Sequence, residues 1–160
     1  VFFGHIVVGL VEVVEGDPKA LEGIFKIMDR IYRAFIRLRW RRFSKGGGDW
    51  APLRPLTVKR KGNDLILIDT KLAYESVNPE FEEVFSILPN KRTQYKAVVT
   101  FGSKATYPSG ISVNQVMSYH QEGTDNMPAR PVLVSPDTAT KRNMERKCKE
   151  EITKYLRMRK

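Results

Sequence analysis

The stretch Tyr119–Leu133, YHQEGTDNMPARPVL, carries the densest set of conformational constraints in the chain. Pro128 and Pro131 enclose Ala129 and Arg130. Each proline fixes its own φ and restricts the residue before it, so Arg130 is expected to project from a stiff, extended segment. Upstream, the side chains of His120 and Gln121 are expected to hydrogen-bond the following polar turn and to fix where Gly123 bends. The whole stretch reads as a structural corner that sends the chain from a sheet into a C-terminal helix. Arg130 is its contact residue, facing protein rather than a substrate.

Downstream of the corner, Val132–Val134 reads as a final strand. Ser135 or Asp137 is placed to cap a helix over residues 136–160, in which Met144, Cys148, Ile152, Tyr155 and Leu156 form a narrow apolar stripe on a strongly basic cylinder. Upstream, Val113–His120 reads as a short helix. Phe81–Leu88, which mixes acidic and apolar residues, and Tyr95–Phe101, rich in β formers, read as strands joined by Pro89-Asn90-Lys91-Arg92, a natural hairpin loop. Leu65–Ile68 reads as a short strand, and Asp69 or Thr70 could cap one or two helical turns through Leu72. Pro52 and Pro55 argue for an extended, irregular segment from Trp50 to Lys59, with Trp50 as its apolar anchor.

The longest element lies further back. Asp17-Pro18 has the chemistry of a helix start, and Leu21, Ile24, Phe25, Met28, Ile31, Tyr32, Phe35 and Leu38 recur at helical steps over residues 17–45. Ile27, Ala34, Ile36 and Trp40 fall off that stripe, and a second apolar face hints at a partner subunit. Residues 1–16 are almost wholly apolar, too short to span a membrane as a helix, without the pattern of a secretory signal, and rich in Val, Ile and Phe; they read as a β arm or strand. The expectation is therefore one α+β domain over residues 1–160. It has an antiparallel or mixed β-sheet within residues 50–135, a long N-terminal amphipathic helix and a C-terminal basic helix.

With 160 residues and 41% hydrophobic composition the chain can bury a core, and a single cysteine excludes an internal disulfide or a four-cysteine zinc site. The net charge is +10, unevenly spread. Residues 1–61 hold 13 Lys/Arg against 6 Asp/Glu, residues 62–135 hold 6 against 8, and residues 136–160 hold 9 against 4. Basic ends and an acidic middle suit nucleic acid, an acidic protein surface, or self-assembly in which ends meet middles. Arg30, Arg33, Arg37 and Arg41 form a row on the long helix that could face DNA phosphates or a partner. Phosphate-loop and nucleophile-elbow motifs are absent. His120, Glu122 and Asp125 could be imagined as an acid/base or metal cluster, but their spacing fits no common ligand pattern. Cys148, on the helical stripe, reads as a small buried hydrophobe.

Three blocks resemble the phage virion morphogenesis (tail-completion) family. Trp50-x-Pro52-Leu53 with Thr57 and Lys59 looks like its W-x-PL…T…K block. Leu67–Ser76, LIDTKLAYES, resembles its L-x-x-TG-x-L-x-x-S segment, around Thr70 and Leu72. His120, Gln121 and Gly123, followed by Pro128, Arg130 and Pro131, resemble its HQ-x-G…PARPFL ending. Lys71 stands where the family has Gly, and Val132 where it has Phe. The resemblance covers about residues 43–156 and implies a structural, non-enzymatic virion protein without cofactor or metal, assembled in the host cytoplasm. It would form a homo-oligomeric ring, commonly a hexamer, at the neck. Its partners would be the portal or connector and the tail-terminator or tail-tube proteins, with non-specific contact to genomic DNA in the channel and none to membrane. A basic nucleic-acid-binding protein without sequence specificity is the alternative.

Overall fold

The computed structural model describes residues 17–68, 71–77, 84–91, 94–100 and 104–159. It overturns the expected α+β architecture. The described residues form helices α1 (Pro18–Ser44), α2 (Pro55–Lys61), α3 (Leu72–Glu75), α4 (Val113–Glu122) and α5 (Thr138–Met158). Among the described residues strand is confined to one antiparallel hairpin, β1 (Val84–Lys91) with β2 (Gln94–Thr100). The hairpin lies where its β formers placed it, but pairing runs through the expected loop, as far as Lys91 opposite Gln94, past an irregularity after Pro89. The apolar run at residues 1–16 and Thr70 lie outside the described residues.

Among the described residues, Leu65–Ile68 and Val132–Val134, the two other expected strands, have no strand partner. Ile66 is buried in a turn held by the end of α1: its amide donates to the Ser44 carbonyl at 3.0 Å and its carbonyl accepts from Ser44 Oγ at 2.7 Å. Val132–Val134 has its backbone bound by a side chain instead, that of Gln121. Short apolar runs do not by themselves separate a buried strand from a buried turn, because both satisfy the same hydrophobic pattern.

The chain, read from sequence as one domain, divides into two compact units. The first draws its described residues from Val1–Tyr32, Val84–Thr100 and Ser135–Lys160. Asp17 caps α1 by accepting from the Ala20 amide at 3.0 Å, with Pro18 at the first helical position. Asp137 caps α5 through Thr140 in the same way. Ala20, Leu21 and Ile24 of α1 pack on Cys148 and Ile152 of α5. Gly23 lets the helices approach: a Cβ there would come 2.2 Å from Tyr155 Oη, which donates to the Lys19 carbonyl.

The second unit takes Arg33–Glu83 and Phe101–Val134. Here α1 buries a face that its periodicity did not single out. Ile36 and Trp40 are fully buried, whereas Leu38 of the expected stripe is 66% exposed. Trp40 of the additional apolar face packs edge-to-face on this chain's own Trp50 and Tyr74, whereas Ala34 of that face is exposed. The segment expected to be extended contains α2. Pro55 sits in its first turn, where an amide would have no intrahelical acceptor, and Gly62 closes it at φ +72°.

Candidate functional site

The corner is assembled from side chains that bond to backbone. Trp50 is buried and sits edge-to-face against Trp40 and Phe43, with ring centroids 6.4 and 5.4 Å away. Its Nε1 donates to the Pro131 carbonyl at 3.3 Å, and the same oxygen accepts from Arg39 Nη1 at 2.6 Å. The Arg39 guanidinium also lies 4.1 Å from the centre of the Phe43 ring. Arg130, between its two prolines, is only 6% exposed. Its Nε donates to the Ala51 carbonyl at 3.0 Å and its Nη2 to the Pro52 carbonyl at 3.3 Å, while its amide donates to the His120 carbonyl at 2.7 Å. Segments about eighty residues apart are thus joined by one guanidinium.

Gly123 makes the bend. It has φ +80°, its amide closes α4 onto the Tyr119 carbonyl, and a Cβ would lie 2.9 Å from the Ala129 nitrogen. The turn after it is held by its own backbone, Thr124 and Met127 exchanging bonds of 2.8 and 3.1 Å. The expectation that His120 and Gln121 hold this turn is therefore corrected. Gln121 reaches past it: Oε1 accepts from the amides of Val132 and Leu133, both at 3.0 Å, and Nε2 donates to the Leu133 carbonyl at 2.8 Å. A residue ending a helix can address a distant segment because its side chain leaves the helix axis.

Electrostatically the corner is one-sided. Burial holds the Arg130 guanidinium below its usual pKa, and its bonds run to carbonyls, with no carboxylate of the described residues paired to it. Burial, and then the charges of Arg130 and Lys61, push the His120 imidazole down to about 4, so it is neutral at pH 7. His120 Nδ1 and Trp40 Nε1 are buried without a hydrogen-bond partner among the described residues. Both residues line a cleft of about 590 Å³ that also admits Leu53 and Pro128.

The structure thus gathers Trp50, Leu53, His120, Gln121, Gly123, Pro128, Arg130 and Pro131 into one unit, with Leu72 half-buried on neighbouring α3. Glu122 and Asp125 are exposed and do not line the cleft that His120 lines. The arginine row is not one open surface. Arg33 is 1% exposed. Arg30 is exposed and pairs with Glu151 at 3.4 Å. Arg37 and Arg41 lie over the Tyr74 ring, and Arg41 Nε donates to its hydroxyl at 2.6 Å. Cys148 is buried and its thiol pushed up, first by desolvation.

The sequence did not mark Arg39, Trp40, Tyr74, Arg60 or Lys61 as residues of the corner or its cleft. The signal available was aromatic: two tryptophans and a tyrosine interleaved with arginines, a composition that favours edge-to-face and cation–π packing. Among the described residues no group of three His, Cys, Asp or Glu could hold a metal ion, and no helix is long and apolar enough to cross a membrane. No family model, curated protein or solved structure matches the chain.

Proposed function

We propose that the chain is a structural virion protein of a tailed phage that assembles as a ring of identical subunits at the neck. There it would join the portal or connector side to the tail. One observation carries this reading: the sequence blocks behind the resemblance are neighbours in space. Arg130 and Pro131 of the last block bond to Trp50, Ala51 and Pro52 of the first, and Tyr74 of the middle block packs on Trp40, which touches Trp50. The motif residues Trp50, Gln121 and Arg130 direct their polar atoms at backbone carbonyls and amides, which is the work of a scaffold. The exposed Leu38 leaves apolar surface for a neighbouring subunit. The nucleic-acid alternative rested on the arginine row and the net charge of +10, and burial of Arg33 breaks the row.

The test is the mass of the purified protein by analytical ultracentrifugation, with negative-stain micrographs of the same sample and proteomics of the particle. Rings of fixed copy number, and co-purification with portal or tail proteins, are the expected outcome. A protein that stays monomeric at all concentrations and is missing from purified particles overturns the proposal.

A further inference from the structure

The cleft in the second unit has a composition that the scaffold role does not require. It is lined by Arg54, Arg60, Lys61, Lys71 and Arg130, and none of its described lining residues is Asp or Glu. Arg54, Arg60 and Lys71 are exposed cations. Arg130 is the opposite case, a charge taken out of water with only neutral carbonyls as partners. A buried, uncompensated charge is destabilising unless a counter-ion reaches it. The fully buried Trp40 presents a second unmet need in the same wall, an indole N–H without an acceptor among the described residues. The described lining therefore offers donors and positive charge and no anion.

Its size and remaining walls narrow the ligand. A cleft of about 590 Å³ takes a few side chains or a small molecule and is too small for a nucleic-acid duplex. Leu53, Leu67, Val116 and Met127 make part of the lining apolar. A nucleotide would bring amino and hydroxyl donors that need acceptors, and the described lining residues include no carboxylate to receive them. Carboxylates set between apolar side chains match both parts of the wall.

We propose that this cleft is a binding site for an acidic, partly apolar peptide segment of a partner protein. Its carboxylates would be held by Arg54, Arg60, Lys71 and Arg130, and its apolar side chains would lie against Leu53 and Met127. The proposal stands apart from the phage reading, since it rests on the charge and lining of the cleft alone. Recognition is by charge pairing with desolvation, so binding weakens as salt rises.

The experiment is fluorescence anisotropy of the whole chain with a labelled short peptide of alternating Glu and Leu. Arg54→Gln/Arg60→Gln removes two exposed cations from the cleft, and α2 contains no buried residue, so the fold is retained and circular dichroism checks it. Lys147→Gln/Lys149→Gln removes the same charge from exposed positions of α5, away from the cleft lining. The Glu–Leu peptide is expected to bind, its Gln–Leu counterpart not to bind, and the α2 variant to weaken binding about tenfold while the α5 variant leaves it unchanged. Absence of binding, or equal losses in the two variants, overturns the proposal. So does displacement of the peptide by oligothymidylate or pyrophosphate at concentrations below those of unlabelled peptide, which would make the cleft a phosphate site.

Discussion

Gln121 and Leu133 exchange two hydrogen bonds, Nε2 donating to the Leu133 carbonyl at 2.8 Å and the Leu133 amide donating to Oε1 at 3.0 Å. This is the bonding that a neighbouring strand would have supplied. Gln121→Ala leaves that amide, that carbonyl and the Val132 amide to find other partners, and is expected to destabilise the second unit by about 2–3 kcal/mol. Gln121→Glu does not rescue it at neutral pH, because a carboxylate oxygen would then face the Leu133 carbonyl. Urea midpoints of both variants check this; a loss under about 0.5 kcal/mol for the alanine variant contradicts it.

Lys71 occupies a left-handed conformation, φ +65° and ψ −9°, immediately before α3. The backbone here holds a glycine-favouring conformation under a lysine. A non-glycine residue in this region is strained by roughly 1–2 kcal/mol, partly offset by the greater unfolded-state entropy of glycine. Lys71→Gly should therefore raise stability by about 1 kcal/mol, and Lys71→Val should lower it. Thermal melts of the two variants should move in opposite directions.

His120 sets an acid limb of stability. Its folded pKa, about 4, lies below the ordinary 6.5, so the unfolded chain binds the proton more readily. Stability from the neutral imidazole is complete above pH 6.5 and drains away as pH falls toward 4, by up to about 3 kcal/mol. His120→Gln should flatten the stability profile in that window. An unchanged slope between pH 6.5 and 4 would show that the histidine is solvated. Asp17 and Asp137, both held below the usual carboxylate value by backbone amides first, add losses only below about pH 4, where their caps protonate.

Arg130 and Arg37 should differ sharply. Arg130→Ala strips the Ala51 and Pro52 carbonyls of their donor and opens a hole beside buried rings, with an expected loss of about 3 kcal/mol. Arg37→Ala removes a half-exposed guanidinium 6.0 Å from the Tyr74 ring and should cost under about 1 kcal/mol. If the chain forms rings, Arg130→Ala should also impair their assembly more than Arg37→Ala. Equal effects would remove Arg130 from its place at the centre of the corner.

On α1, Ile36→Ala should cost about 2–4 kcal/mol, whereas Leu38→Ser should leave monomer stability within about 0.5 kcal/mol and reduce self-association. Unfolding curves and sedimentation of the same two variants separate the core face from the exposed one.

The elements whose signals are local were legible in the sequence. Asp17-Pro18 starts α1, Asp137 starts α5, Val84–Thr100 pairs as a hairpin, and Gly123 bends, because each is written within a few residues and satisfied by near neighbours. The stripe of Met144, Cys148 and Ile152 was legible for the same reason, since one helix face carries it. The tertiary structure decided what depends on distant partners. It turned Leu65–Ile68 and Val132–Val134 from strands into bound segments, exposed Leu38, buried Arg33, and gave Arg130 two carbonyls 79 and 78 residues away. Periodicity states which residues share a face of a helix. Which face is covered depends on the side chains that loops bring back against it, and in the second unit those are Trp50 and Tyr74.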